Sequence, residues 1–189
     1  MRFSYNERKA AQMAARLLRA GGGRLDVIVL MKLMYLCDRR ALIERGLPIT
    51  GAFMVSMRQG PVLSEVLDDI NDGQRPAIFG GGGAWNEFVQ DRDGYAVTVV
   101  DGATSTDELS RFETRVIDEV FAEFGGIGKW DLVRLTHELP EWRDPGRSSL
   151  PIQPEEILRS AGKAAEEIEA IVDAAEGAWF VERMVKSAS

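Results

Sequence analysis

The sequence has few of the side chains that catalyse reactions or bind metals. It contains one cysteine, Cys37, and one histidine, His137, far apart in the chain. Because a zinc site needs about four Cys, His or carboxylate ligands, we expect neither a metal nor another cofactor. A single cysteine also excludes an internal disulfide bond. Such cysteine usage fits a reducing compartment, so we expect a cytoplasmic protein.

Long apolar segments are also missing. The longest strongly apolar stretch runs from Val27 to Leu36 and is interrupted by Lys32, whereas a helix needs about 20 apolar residues to span a bilayer. The first nine residues carry charges but are not followed by the apolar core of a signal peptide. We therefore expect no membrane insertion and no membrane partner.

Catalytic motifs are absent as well. The run Gly125 to Lys129 is followed by Trp130, where a phosphate-binding loop requires Ser or Thr. The sequence has no G-x-S-x-G motif for a serine nucleophile. His137 is the only candidate general base, and an enzyme would pair it with a carboxylate such as Glu138 or Glu141. We favour a structural His137 and a protein without catalytic activity.

Charge is distributed unevenly along the chain. Residues 1–45 contain ten Lys or Arg against four Asp or Glu, whereas the remainder contains 13 against 26, for a net charge of −7. A basic end can contact nucleic acid or an acidic protein, or it can be a solvated helix face. A DNA-binding regulator is therefore an alternative. It is not favoured, because the second predicted helix is too apolar to lie in a DNA groove.

Hydrophobic periodicity predicts a mostly helical chain. The predicted helices span residues 4–20, 27–45, 60–70, 106–124, 129–138 and 154–175. The second helix is apolar on several faces, so we expect it to be central, with Cys37 buried and unreactive. A strand is predicted at 52–58 and a hairpin at 85–100. The expected fold is mostly α with a small antiparallel β-hairpin or sheet, an α+β class in one compact helical domain.

Two segments carry a resemblance to a known family: KLMYLCDRRALIERGLPITG, residues 32–51, and FMVSMRQGPVLSEV, residues 53–66. Together with the later string LTH and a following tryptophan, they resemble the SocA-like antitoxin family, also called the Panacea domain. The residues that carry the resemblance, called here the motif residues, are Lys32, Leu33, Tyr35, Leu36, Gly60, Pro61, Val62, His137 and Trp142. The expected domain is 1–152, with a C-terminal helical extension, 153–189, packed on it.

The resemblance implies a bacterial antitoxin that neutralises its cognate toxin by direct protein binding and has no enzymatic activity. Some antitoxins also act as proteolytic adaptors that deliver their toxin to an ATP-dependent protease. The implied partners are therefore a toxin and such a protease. For His137 and Trp142 the resemblance implies a role in packing or at an interface, and the sequence does not choose between these.

The surface that contacts a partner is harder to locate from sequence. Aromatic and arginine side chains supply most of the binding energy of protein interfaces. The candidate partner-binding residues on this basis are Arg39, Arg40, Arg58, Trp85, Trp179 and Phe180. The last predicted helix could complete the core or dock a partner, and both alternatives stay open.

Overall fold

The computed structural model describes residues 1–72, 83–90 and 92–187. The α-helices in these ranges are α1 (Glu7–Ala20), α2 (Val27–Arg45), α3 (Ser64–Asp72), α4 (Arg111–Phe124), α5 (Lys129–His137), α6 (Pro154–Ser160) and α7 (Ala165–Ser187). The strands are β1 (Arg24–Asp26), β2 (Met54–Met57), β3 (Gly60–Leu63), β4 (Ala96–Thr98) and β5 (Leu150–Pro151). The predicted class, mostly α with small antiparallel sheets, is confirmed.

Helix α2 lies at the centre of the molecule, as predicted. It contacts α1, α4, α5, α6 and β3, and it buries residues on every face, Tyr35 and Cys37 among them. A helix that is apolar all round is stable only when other elements surround it. Its ends also follow the prediction. The Asp26 side chain accepts a hydrogen bond from the Ile28 N–H at 2.9 Å, and Gly46 ends the helix with φ +73°.

A three-stranded antiparallel sheet, in the order β3-β2-β5, lies beside α2. The strand predicted at 52–58 is confirmed in shorter form as β2. The helix start predicted at Gly60 and Pro61 is wrong, because these residues begin β3 and the helix starts at Ser64. Gly60 has a φ of +95°, which lets the chain reverse direction directly after β2. Pro61 is tolerated because β3 is an edge strand.

The predicted hairpin between residues 85–90 and 95–100 is only partly present. Strand β4 pairs with β1 instead, and the first predicted strand is largely replaced by a 3-10 helix at Ala84–Glu87. One bridge, between Val89 and Val99, joins the two predicted segments. Asp91 of the predicted turn lies outside the described residues. Strand β1 was not predicted, because three residues are too few for a period-two pattern.

Two further helix starts differ from the prediction. Asn6, not Ser4, caps α1 by accepting a hydrogen bond from the Lys9 N–H. Helix α4 begins after Ser110, which forms a capping box with Glu113, whereas the predicted helix began at residue 106, after a capping box of Ser105 with Glu108. The earlier start is not used because residues 107 and 108 bind another helix. The Gln12 side chain in α1 hydrogen-bonds the carboxylate of residue 107 and the backbone N–H of residue 108.

The C-terminal segment forms two helices where one was predicted. After α6 the chain turns at Gly162, which has a φ of +84°, and the Lys163 N–H bonds back to the Leu158 carbonyl. Gly177, the expected end, lies inside α7. Ile157 and Leu158 of α6 are fully buried in the same core as α2. The domain division after residue 152 stays a prediction.

Candidate functional site

Several motif residues meet where α2 and α5 contact the turn between β2 and β3. The Lys32 ammonium group donates a hydrogen bond to the Pro61 carbonyl oxygen at 2.7 Å. A side chain at Gly60 would place its Cβ 2.7 Å from Thr136 Oγ1 and 3.0 Å from Lys32 Nζ. Only glycine therefore fits at this position, because both the backbone angle and the space exclude a larger residue.

Lys32 is a buried cation. The residue is only 1% exposed. Burial lowers the pKa of its ammonium group to about 7. A lysine ammonium has three N–H donors, and the one acceptor seen is the Pro61 carbonyl. No carboxylate in the described ranges pairs with it. A charge in this setting is costly unless a ligand or partner supplies further acceptors.

His137 and Trp142 stack on each other beside the same turn. Their ring centroids are 4.0 Å apart at an interplanar angle of 16°. The indole N–H of Trp142 donates to the Met57 carbonyl at 3.1 Å, so the stack holds the end of β2. Burial and the nearby Lys32 lower the pKa of His137, which favours the neutral imidazole at pH 7. The geometry favours packing over acid–base catalysis for this histidine.

Glu141 anchors the segment after α5 to α2. This residue is 2% exposed. It accepts hydrogen bonds from the Tyr35 hydroxyl at 2.8 Å and from Arg39 Nε at 2.7 Å. Both carboxylate oxygens are occupied, since Arg39 Nη2 also reaches Oε2. Glu141 is therefore engaged with α2 and not with His137. It is one of the two carboxylates, with Glu138, that the enzyme alternative offered as a partner of His137.

Asp38 organises the loop that follows α2. Its fully buried carboxylate accepts hydrogen bonds from the backbone N–H groups of Ile49 and Thr50, at 2.9 and 3.0 Å, and from the Thr50 hydroxyl. Burial raises the pKa of Asp38 to about 7. Lys32 and Asp38 are thus two buried side chains of α2 whose pKa lies near 7. Both side chains form hydrogen bonds with backbone groups of neighbouring loops, so their local role is to position the turns around α2.

A groove of about 1040 Å³ opens beside Lys32. Helix α2 forms its floor, and the β2–β3 turn, α3, α5 and the segment before β4 form its walls. We call this the Lys32 groove. Its charged and aromatic lining residues are Asp26, Lys32, Arg58, Arg92, Tyr95, Lys129 and Trp130. Tyr95 and Trp130 are 77% and 59% exposed, which is unusual for large aromatic side chains.

The Lys32 groove is basic although the protein is acidic. Its described lining has four cationic side chains and one carboxylate, Asp26. That carboxylate is already engaged by Lys129 at 2.8 Å. Arg58 is exposed and forms no ion pair with the carboxylates that the structure describes. A concave surface with one sign of charge attracts ligands of the opposite sign.

The basic N-terminal end, in contrast, is mostly neutralised within the molecule. Among the residues that the structure describes, six of its ten basic side chains pair with carboxylates from later parts of the chain. These pairs are Arg8–Glu87, Lys9–Glu113, Arg16–Asp118, Arg24–Asp93, Arg39–Glu141 and Arg40–Glu123. The charge asymmetry of the sequence therefore reflects attraction between α1 and α2 and the acidic remainder. It does not create an open basic face.

The six candidate partner-binding residues lie in different places. Arg39 and Arg40 are engaged by Glu141 and Glu123. Trp85 is 4% exposed, so its prediction as a partner contact is revised to a core role, because its 3-10 helix packs against α1. Trp179 is half-buried with Arg2 over its ring, and Phe180 is exposed. Arg58 is the candidate that lies in the Lys32 groove, and its partner role stays a prediction.

Other chemistry finds little support in the described part of the chain. No group of three or more His, Cys, Asp or Glu there is placed to hold a metal ion. Burial raises the pKa of the Cys37 thiol, which suppresses the reactive thiolate. The described helices include none with the length and apolar character needed to cross a membrane.

The sequence reasoning missed the groove residues Tyr95, Lys129 and Trp130. Lys129 and Trp130 entered only as evidence against a phosphate-binding loop. One signal was available, since a tryptophan directly after a glycine-rich loop at a helix start is easily exposed. Lys32 carried a clearer signal, because it interrupts an otherwise apolar helix between Met31 and Leu33.

Comparison with known families places these features in context. The family model described as Antitoxin SocA-like, Panacea domain, matches residues 30–143, which is more than half of the chain. The chain belongs to this family. The matched range contains every motif residue from Lys32 to Trp142, so the resemblance seen in the sequence is confirmed. No curated protein sequence and no solved structure matches the chain.

Proposed function

We propose that this Panacea-domain protein is an antitoxin that neutralises its cognate toxin by direct protein binding. The observation that carries the proposal is the family match over residues 30–143, because the family implies a toxin–antitoxin role in general. The matched range includes α2, the β2–β3 turn and α5, which line much of the Lys32 groove. The protein would thus act through a binding surface.

Binding without catalysis fits the condition of the candidate reactive groups. His137 is stacked on Trp142, Glu141 is engaged by Tyr35 and Arg39, and Cys37 is buried. Each of these contacts supports the fold rather than presenting a nucleophile or base to solvent. We therefore propose a non-enzymatic protein that acts in the cytoplasm, where a free cysteine stays reduced.

The proteolytic adaptor role and the DNA-binding role differ in how well they are supported. A proteolytic adaptor role, with delivery of the toxin to an ATP-dependent protease, rests on the family resemblance. The DNA-binding alternative is weakened by the structure, because the basic residues it would use are mostly paired with carboxylates. A titration with promoter DNA at low and high salt separates it from the leading proposal, since phosphate contacts give a steep salt dependence.

The direct test is co-expression with the gene next to the one that encodes this chain. The neighbouring product alone should inhibit growth, co-expression should restore growth, and the two proteins should purify as a complex. The lifetime of the neighbouring protein with and without the antitoxin then separates degradation from sequestration. Restored growth without a complex would contradict neutralisation by direct binding.

A further inference from the structure

We propose that the Lys32 groove is the site that receives an acidic segment of the toxin. The expected ligand is a stretch of polypeptide that presents a carboxylate to Arg58 and Lys32 and an apolar side chain to the groove walls. This inference rests on the proposed antitoxin function. It adds the location of the contact and the chemistry of the segment that binds there.

The charge distribution supports an acidic ligand. The protein as a whole has a net charge of −7, so an acidic partner is repelled by most of its surface. In the described lining of the Lys32 groove, four basic side chains face one carboxylate, and that carboxylate is held by Lys129. Three of the four, Arg58, Arg92 and Lys129, carry the charge, because burial lowers the pKa of Lys32 to about 7. The groove is therefore a local region of positive potential, which guides a negative segment to one place and one orientation.

Lys32 supplies an incomplete hydrogen-bonding site at the bottom of the groove. Within the described part of the chain, its ammonium group donates one hydrogen bond, to the Pro61 carbonyl oxygen, and has two further N–H donors. Gly60 brings only backbone next to Nζ, in a space too tight for a side chain. A carboxylate oxygen that reaches Nζ from the groove would compensate the buried charge, and charge-assisted hydrogen bonds of this kind are among the stronger ones in proteins.

The walls of the groove favour a polypeptide over a small anion. They are largely apolar, and the apolar residues are Val27, Ile28, Met31, Met57, Val62, Leu67 and Val133. Tyr95 and Trp130 are exposed beside these walls, and such aromatics are typical anchors at protein interfaces. The groove volume of about 1040 Å³ lies slightly above the range of small-molecule pockets, which is about 300–1000 Å³.

Nucleic acid fits the same groove poorly. DNA carries a phosphate charge about every 1.7 Å along its axis and needs an extended basic surface. The basic residues of α1 and α2 do not provide one, because most are paired with carboxylates. Lys32 is also 1% exposed, so it cannot reach a phosphate on a duplex that stays outside the groove. A protein segment with a single carboxylate is the better match.

The test uses charge reversal in the full-length protein, with the product of the neighbouring gene as the probe. Arg58→Glu reverses an exposed groove charge without touching the core, and Lys32→Met removes the buried charge at nearly constant shape. Arg147→Glu is the matched control, because Arg147 is exposed and does not line the groove. Affinities are measured by isothermal titration calorimetry at low and moderate salt, after thermal unfolding has shown that each variant is folded.

We expect Arg58→Glu and Lys32→Met each to weaken binding by about tenfold or more, which corresponds to about 1.4 kcal/mol, with Arg147→Glu close to wild type. Replacing single Asp or Glu residues of the toxin by Lys should restore binding to the Arg58→Glu variant at one position. A folded groove variant that binds as tightly as the wild type overturns the proposal, as does an equal loss in the control. A wild-type protein that fails to bind the neighbouring product contradicts the antitoxin function and this inference with it.

Discussion

Lys32 and Asp38 are the two residues whose charge conflicts most with their surroundings. Both lie in α2 and both are almost completely buried. Asp38 is compensated by three hydrogen bonds from the loop at Ile49 and Thr50. Lys32 is compensated by one, which its ammonium group donates to the Pro61 carbonyl oxygen. Asp38 is thus matched within the fold, whereas two of the three N–H donors of Lys32 have no acceptor among the described residues.

The buried charge of Lys32 should be visible in the pH dependence of stability. Burial lowers its pKa to about 7 in the folded protein, against about 10.4 in an unfolded chain. Between these values the unfolded state binds a proton that the folded state lacks, so stability due to Lys32 rises with pH. The free energy of unfolding of the wild type minus that of Lys32→Met should rise by about 1.4 kcal/mol per pH unit above pH 7.

Urea denaturation of both proteins from pH 7 to 9.5 measures this difference. Ionisation of the tyrosines does not interfere strongly in that range, because their ordinary pKa is about 10. Below pH 7 the two curves should run parallel with a constant offset, since Lys32 is then charged in both states. Parallel curves over the entire range would mean that Lys32 is not perturbed by burial.

Gly60 should be among the least replaceable residues of the chain. Gly60→Ala adds a backbone penalty at φ +95° and a collision with Thr136 and Lys32. Gly94→Ala is a matched control, because Gly94 has φ +60° and no described heavy atom outside its chain neighbours lies within 4 Å of the position its Cβ would take. In the control, the left-handed backbone alone should lower the free energy of unfolding by about 1–2 kcal/mol. Gly60→Ala should lower the free energy of unfolding, measured by chemical denaturation, by clearly more than the control does. Equal losses would show that the close contact with Thr136 and Lys32 is unimportant.

At the scale of elements, α2 organises the molecule by contacts on all sides. Glu141 ties it to the segment after α5, and the His137–Trp142 stack ties that segment to β2. The turn that borders the Lys32 groove is thus held from two directions. Such support favours a groove that keeps its shape before a partner binds, which reduces the entropic cost of binding.

Loss of the Glu141 carboxylate should destabilise the protein more than loss of a surface partner. Glu141→Ala leaves the buried Tyr35 hydroxyl and the half-buried Arg39 without their acceptor. We expect a cost of about 2–4 kcal/mol. Glu123→Ala breaks the more exposed pair with Arg40 and should cost less than about 1 kcal/mol. Thermal and urea unfolding of both variants measure the contrast, and similar costs would argue against the Glu141 anchor.

The two C-terminal helices should differ in how much the fold depends on them. A chain that ends after Pro151 loses Ile157 and Leu158, which are fully buried in the core. We expect it to be unfolded or aggregated, because each buried aliphatic side chain contributes about 2 kcal/mol or more. A chain that ends after Gly177 keeps α6 and the buried part of α7 and should remain folded. Circular dichroism with thermal melts distinguishes the two, and a stable shorter chain would show that α6 is dispensable.

Sequence patterns predicted the elements whose signals are strong and local. The bounds of α2 followed from an apolar segment between Asp26 and Gly46, and the end of α1 followed from the glycines at 21–23. The errors arose where two local signals compete. Both Ser105 and Ser110 begin a capping pattern, and the contact of Gln12 with residues 107 and 108 selects the second. Proline at 61 suits a helix start and an edge strand equally well.

The candidate site was predictable only in part, because it is formed by residues that are distant in sequence. The motif residues were found through the family resemblance, and Lys32 could be singled out as a charge within an apolar helix. The groove itself depends on side chains from α2, the β2–β3 turn, α5 and the segment before β4. Their proximity is a tertiary property that no local period or spacing encodes, so Tyr95 and Trp130 were not recognised as its lining.

For the whole molecule, the central feature is how charge is arranged. The basic α1 and α2 are largely neutralised by acidic residues of later elements, and the protein as a whole has a net charge of −7. The Lys32 groove is a basic, partly aromatic concavity on an acidic Panacea-domain protein, and this contrast in charge favours an acidic partner segment. This arrangement connects the antitoxin proposal to a defined surface.

The central claim is tested most directly by co-purification with the product of the neighbouring gene, combined with growth rescue. Both are measured for the wild-type protein and for its Arg58→Glu variant. We predict that the wild type forms a stable complex and restores growth. The folded Arg58→Glu variant should lose both, while Arg147→Glu retains both. A neighbouring protein that is neither toxic nor bound by the wild type would contradict the antitoxin account.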